Sequence, residues 1–322
     1  MNFAAAPNRP VRLAAQESRG HRLILEILIF FAVFLAGSTV QGLILFIPES
    51  AALLASDAFR EILSSGRIDP NAVLALINGL PAWLYAVTLF STAALIAAAV
   101  LYCRLIEKRS LASMGIVRAG AFREYLAGLV IGLALMAAAV GICCAFGGIR
   151  LEPAAGTRWW MIAVLFLGFL VQGMAEELLC RGYLCVSVAR RAPAAVAVGV
   201  SAAVFALLHI SNSGLSVLAL VNLFLFGAFA GIYFLWRGSI WGAAAIHSMW
   251  NFAQGNLFGI PVSGTAAGDS VLRCISADEL KLWNGGSFGL EGSLAVTLVL
   301  LIAISCVLFI HLSGSGRKKV EQ

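Results

Sequence analysis

The stretch GMAEELLCRGYL, from Gly173 to Leu184, places two adjacent glutamates and an arginine inside a long apolar run. Ionisable side chains within a membrane span cost about 2.5–3.5 kcal/mol each on insertion scales, so they predict a function or a partner. Glu177 and Arg181 are spaced i,i+4 with the acid first, which favours a helical ion pair. Glu176 is rotated by about 100° from its neighbour and cannot share that partner equally. One carboxylate is therefore predicted to be neutralised, while the other stays available as a base.

The composition is that of a membrane protein. Of the 322 residues, 61% are hydrophobic and 12% are charged, and the mean hydropathy is +0.94. A typical soluble domain carries about 25% charged residues. The net charge of +6 comes from basic residues scattered among short loops, which disfavours a nucleic-acid partner. The seven cysteines include no C-x-x-C pair and are predicted to be small apolar side chains.

Apolar runs of the roughly 20 residues that a bilayer requires predict eight helices. The predicted spans are residues 23–47, 80–106, 125–148, 158–189, 194–212, 215–236, 239–258 and 290–312. The predicted fold class is therefore all-α, a polytopic membrane protein with about eight transmembrane helices in one bundle. The first run is about twice as long as a signal-peptide core, so it is expected to be a retained span.

The predicted domain organisation is a cytoplasmic N-terminal arm at 1–22, a helical transmembrane domain at 23–312 and a cytoplasmic tail at 313–322. Fifteen of the 22 Lys and Arg residues fall on one side of these spans and six on the other. The positive-inside rule then predicts that both termini are cytoplasmic. Both arms are expected to be disordered, and residues 108–128 are expected to form an interfacial helix. The long loops at 48–79 and 259–289 show no catalytic pattern.

Two further motifs carry polar groups within apolar runs. FALLH supplies Phe205 and His209, and HSMWN supplies His247 and Asn251. At 1.5 Å per helical residue, Glu176, His209, His247 and Asn251 all lie about 15–24 Å below the cytoplasmic side. Each alone has a structural interpretation, as an ion-pair or hydrogen-bonding link between helices, with Phe205 as packing. Their common depth predicts a single buried site.

This set of side chains leaves two hydrolytic schemes open. In one, Glu176 is the general base for a water that His209 orients, and His247 and Asn251 donate to the oxyanion. In the other, Glu176, His209 and His247 bind a divalent metal, with Zn²⁺ as the candidate, which acidifies its bound water. Direct water activation is slightly favoured, because no remaining glutamate is well placed as the base and Glu177 has its own arginine.

EELLCR followed by Gly182, then FALLH, then HSMWN resembles the signature of the CPBP intramembrane protease family, E-E-x-x-x-R, F-x-x-x-H and H-x-x-x-N/D. That family groups type II CAAX prenyl endopeptidases with bacteriocin-processing (Abi) relatives. The similarity covers about 173–256, within a core at about 125–258. Cys180 stands where many members have an aromatic residue.

The resemblance implies an intramembrane endopeptidase with its active site buried in the membrane. Its catalytic residues would be Glu176, His209, His247 and Asn251, and its supporting residues Glu177, Arg181 and Phe205. It also implies a peptide or protein substrate at the bilayer, and metal dependence in the family is disputed. A multi-pass protein of a bacterial plasma (inner) membrane is expected. Two alternatives stay open: a transporter or channel that uses the cluster as an ion or proton relay, and a non-catalytic immunity or scaffold member of the family.

Overall fold

The apolar runs fold into helices, because a helix satisfies its backbone hydrogen bonds within the segment. The computed structural model describes residues 8–17, 20–66, 69, 76, 81–266 and 268–320. The helices are α1 Arg9–Glu17, α2 Leu23–Ala55, α3 Asp57–Ser65, α4 Ala82–Ser91, α5 Ala93–Leu101, α6 Ala121–Ala145, α7 Trp159–Glu177, α8 Val186–Ala189, α9 Ala194–Leu207, α10 Val217–Arg237, α11 Ile240–Phe252, α12 Lys281–Asn284 and α13 Leu294–Val320. Two strands, β1 Ile149–Pro153 and β2 Leu272–Ser276, pair antiparallel. A π-helical segment, Leu178–Cys185, joins α7 to α8.

Within these described residues, six helices are long and apolar enough to cross a membrane, by length and composition. They are Leu23–Ala55, Trp83–Ile106, Ala121–Ala145, Trp159–Ala189, Val217–Arg237 and Leu294–His311. The other two predicted spans contain shorter helices, α9 with 14 residues and α11 with 13. The all-α membrane class is thus confirmed, whereas the count of eight spans is not.

Glycines let α11 pack very close to α6 and α7. A Cβ added at Gly173 of α7 would lie 2.7 Å from the backbone nitrogen of Ser248, and one added at Gly132 of α6 would lie 3.1 Å from the Cα of Ile246. Small residues of this kind let helix backbones approach in a membrane. The contact at Gly173 places the motif HSMWN directly beside the stretch GMAEELLCRGYL.

A buried ion-pair network connects the N-terminal spans to the segment that follows α7. Nη2 of Arg190 lies 2.9 Å from Oε1 of both Glu26 and Glu107. Nε of Arg109 lies 3.1 Å from Oε2 of Glu107, and its other nitrogens donate to Ser187 Oγ and the Gly182 carbonyl. The Arg109 and Arg190 side chains are at most 1% exposed. The network therefore fixes the end of the second span against the segment that follows α7.

The arms are not disordered as expected over their described parts. The N-terminal arm contains α1, whose Val11 and Ala14 are buried. Asn8 donates to the Leu235 carbonyl, and Glu17 accepts from the backbone of Ser110. At the other end, α13 continues as helix through the tail to Val320. The buried apolar face of α1 explains why it is ordered against the bundle.

The predicted interfacial helix at 108–128 is wrong. The segment forms a single 3₁₀ turn, Leu111–Met114, and α6 begins only at Ala121. Gly115 and Gly120 adopt φ of 81° and 74°, left-handed values that interrupt a helix. The Gly115 carbonyl instead accepts from Ile240 N, so the turn docks against the start of α11.

The segment between α11 and α13 is anchored to the start of α7. Arg158 donates from Nε and Nη2 to the two carboxylate oxygens of Asp269, at 3.0 and 2.6 Å. Thr157 donates to the Ser270 carbonyl, and Asn256 donates to the Asp269 carbonyl. Part of the loop at 259–289, which shows no catalytic pattern in the sequence, is therefore fixed against the N-terminal end of α7.

Arg190→Met should destabilise the fold strongly, because it leaves Glu26 and Glu107 buried without their shared cation. Breaking a buried pair in this way costs about 3–5 kcal/mol. Thermal unfolding in detergent micelles measures the effect. Arg123→Met, at an exposed arginine on the first turn of α6, is the matched control and should change stability by about 0.5 kcal/mol or less. Equal loss in the two variants would contradict the prediction.

Asp269→Asn should lower Tm at pH 7 and lose its effect in acid. The Arg158 hydrogen bonds hold the pKa of Asp269 below its usual 3.8. A lowered carboxyl pKa stabilises the fold above that usual value, and the contribution disappears as pH falls through the folded-state pKa. The Tm difference from wild type should therefore shrink towards zero at low pH. Asp278→Asn, at an exposed acid of the same segment, is the control; a difference that persists in acid would argue against this assignment.

Candidate active site

The four predicted site residues surround one cavity within the bundle. The cavity has a volume of about 220 Å³ and is lined by Glu176, His209, His247 and Asn251. Their helices are α7, α9, with His209 just past its end, and α11. The structure thus brings together residues 75 positions apart in the chain, from Glu176 to Asn251. Their catalytic role remains a prediction.

Glu177 holds two partners on one oxygen. Its Oε1 accepts from Arg181 Nη1 at 2.9 Å and lies 2.9 Å from His247 Nδ1. The side chains of Glu177 and Arg181 are fully buried. The predicted ion pair is present, and the bond to His247 adds a contact that the spacing did not reveal. Because a carboxylate only accepts, Nδ1 of His247 carries the proton and its Nε2 faces Oε2 of Glu176, 3.8 Å away.

His209 is oriented by the turn that ends α9. Its Nδ1 lies 2.8 Å from the Phe205 carbonyl oxygen, one helical turn earlier. A carbonyl oxygen cannot donate, so Nδ1 carries the proton and the neutral ring keeps its lone pair on Nε2. The rings of Phe205 and His209 are also in contact, with centroids 4.8 Å apart. The motif F-A-L-L-H therefore fixes the imidazole through both backbone and ring.

Phe205 also supports Arg181. The guanidinium carbon lies 4.6 Å from the centroid of the Phe205 ring, a cation–π contact, and Nη2 donates to the Gly227 carbonyl at 3.0 Å. Arg181 thus contacts Glu177 of α7, Phe205 of α9 and Gly227 of α10. The supporting residues of the first two motifs form one connected unit.

Gln172 is a cavity residue that sequence reasoning missed. It lies one turn before Glu176 on α7, and its Nε2 donates to Oε1 of Glu176. Its own Oε1 accepts from Asn251 Nδ2 at 3.0 Å. A signal existed, since an amide four residues before Glu176 shares its helix face. That signal is weak by itself, because a lone intramembrane amide is typical of links between helices.

Glu291 is a second carboxylate on the cavity wall, although no remaining glutamate was expected to be well placed as a base there. It is buried in the turn before α13. Its Oε2 accepts from Ser263 N at 2.6 Å and from Gln254 Nε2 at 3.3 Å, and Ser263 Oγ also donates to it. Glu291 lies at the start of the predicted span 290–312 and three residues before α13, where an acidic residue is common because it faces the positive end of the helix dipole. Its position on the cavity wall is visible only in the folded structure.

The three residues of the zinc scheme have suitable ligand atoms, but these atoms do not lie close enough together to form one site. His209 and His247 each have Nδ1 bonded to an oxygen acceptor, which is typical of zinc-binding histidines. However, their ligand atoms and those of Glu176 are not among the groups that lie within 4.8 Å of one another in the described part of the chain. As folded, Glu176, His209 and His247 do not fit a three-ligand zinc centre.

A different trio, His21, Glu26 and Glu107, does meet that spacing among the described residues. The Arg190 guanidinium already lies 2.9 Å from both glutamates. Because a cation occupies the position between the carboxylates, the trio is part of the buried ion-pair network.

A family model described as type II CAAX prenyl endopeptidase Rce1-like matches residues 158–253. The match runs from the residue before α7 to the residue after α11, so it contains all three motifs. The predicted family resemblance is confirmed over this segment of 96 residues, and the family it matches is one of CAAX-type prenyl endopeptidases. No curated protein matches the chain. Glu291 and Ser263 lie outside the matched segment.

Proposed function

We propose that the protein is an intramembrane endopeptidase that hydrolyses membrane-associated peptides with a water activated by Glu176. The observation that carries the proposal is the common cavity, in which Oε2 of Glu176 and Nε2 of His247 are 3.8 Å apart and His209 and Asn251 complete the wall. A carboxylate, two imidazoles and an amide can supply the general base, the water acceptor and the oxyanion donors of peptide hydrolysis.

Glu176 is the best-placed base, since its side chain is 25% exposed within the cavity whereas that of Glu177 is fully buried and paired. In the proposed reaction Glu176 takes a proton from water as the oxygen attacks the peptide carbonyl carbon. Nε2 of His209 accepts a hydrogen bond from the other water hydrogen, which stays on the oxygen, and so orients the attack. When the C–N bond breaks, Glu176 returns its proton to the leaving amine nitrogen. The products are a carboxylic acid and an amine, and every proton is accounted for.

The oxyanion would be stabilised by Asn251 and His247. Asn251 donates one N–H of its amide to Gln172, so the second N–H remains for the developing charge on the oxyanion. For Nε2 of His247 to donate as well, the ring must be an imidazolium. Glu177 at Nδ1 and Glu176 near Nε2 supply the counter-charges for that form. Donors held in place before reaction lower the barrier most, and one such donor is worth about 10²–10³ in kcat.

Glu176→Gln and His209→Ala should each abolish peptide cleavage while leaving folding and membrane insertion intact. The removed base and the removed water acceptor explain the loss. Comparison of the membrane peptidome in cells that express wild type or Glu176→Gln reveals substrates and cleavage positions. Glu152→Gln, at a partly exposed acid of β1, is the matched control and should behave as wild type. Cleavage at the wild-type rate by Glu176→Gln would remove the basis for the proposed function.

Purified protein should cleave peptide with far less than one equivalent of bound metal, since the three candidate ligands do not close a zinc site. Elemental analysis of the active fraction, paired with rate measurements before and after chelation, tests this. Activity that disappears with chelator and returns in proportion to added Zn²⁺ would establish the metal scheme instead.

A further inference from the structure

The amide of Gln172 joins the two sides of the cavity. Its Nε2 donates to Oε1 of Glu176, and its Oε1 accepts from Asn251 Nδ2 at 3.0 Å. All three side chains line the cavity. Both functions of one amide are therefore used, one on the base and one on the oxyanion donor.

We propose that Gln172 is a positioning residue that sets which oxygen of Glu176 meets water and which N–H of Asn251 meets the oxyanion; this role rests on the proposed function. With Oε1 of Glu176 occupied, Oε2 is the oxygen left for water, and it is the one that faces His247 Nε2 at 3.8 Å. Similarly, one Asn251 N–H is fixed on Gln172, so the other points in a defined direction.

Only an amide of this length satisfies both partners. An ionised glutamate at 172 cannot donate to Glu176, and it would place two carboxylates side by side, which disfavours ionisation of the pair. Methionine has a similar shape but neither donates nor accepts as an amide does. Asparagine keeps the amide and is shorter by one methylene, so it cannot span the same two partners. The three substitutions therefore separate charge, hydrogen bonding and reach.

The test is steady-state cleavage of a quenched fluorescent peptide, synthesised around a site found in the peptidome comparison, by full-length protein in detergent micelles. Gln172→Met and Gln172→Asn should lower kcat by about tenfold or more with little change in KM, as expected for loss of an orienting partner. Gln172→Glu should move the acid limb of the pH–rate profile upwards by about one pH unit. Gln41→Met, the same change on α2 away from the cavity, should leave both readouts unchanged.

A Gln172 that only packs between helices would leave kcat unchanged when its amide is retracted, so wild-type kcat in Gln172→Asn overturns the assignment, and a superimposable pH profile for Gln172→Glu overturns the contact with Glu176 on which it rests. Those two variants decide the question if Gln172→Met does not fold. The same measurement on Glu176→Gln distinguishes failure of the proposed function from failure of the role of Gln172. If Glu176→Gln still cleaves, the proposed function fails; if it is inactive while the Gln172 variants behave as wild type, only the role of Gln172 fails.

Discussion

The shared oxygen of Glu177 is the contact on which the rest of the site depends. It binds Arg181 and His247 at 2.9 Å each in a fully buried position. A buried carboxylate is costly unless it is paired and hydrogen-bonded, and here two partners from different elements meet that requirement. Arg181 is in turn held by the Gly227 carbonyl and the Phe205 ring. One charge therefore orients α7, α9, α10 and α11 relative to one another.

This arrangement places two adjacent acids in different surroundings. Glu177 points into the helix interface, while Glu176, rotated by about 100°, points into the cavity. The support requires close helices, which Gly173 permits by leaving room for Ser248. The buried ion pair and the carboxylate that faces the cavity thus come from neighbouring residues of one helix, and Gln172 on the same helix links Glu176 to Asn251.

Two peripheral anchors keep this geometry in place. Arg109 and Arg190 bind the N-terminal spans to the segment after α7 through buried carboxylates. On another side, Glu291 binds Ser263, so the loop after α11 and the turn before α13 jointly wall the cavity. The matched family segment, 158–253, contains neither anchor in full. Residues outside the matched segment, Ser263 and Glu291, therefore complete the wall of the cavity.

The sequence by itself determined the membrane class, the three motifs and the Glu177–Arg181 pair, because charges in apolar runs are costly and helical spacing fixes their faces. It did not determine the number of spans, since hydropathy cannot distinguish a full span from the short helices α9 and α11. Only the tertiary structure placed Glu291 on the cavity, gave His247 its second carboxylate and joined Gln172 to Asn251. Those contacts cross between elements far apart in the chain, and local periodicity contains no information about which helix faces which.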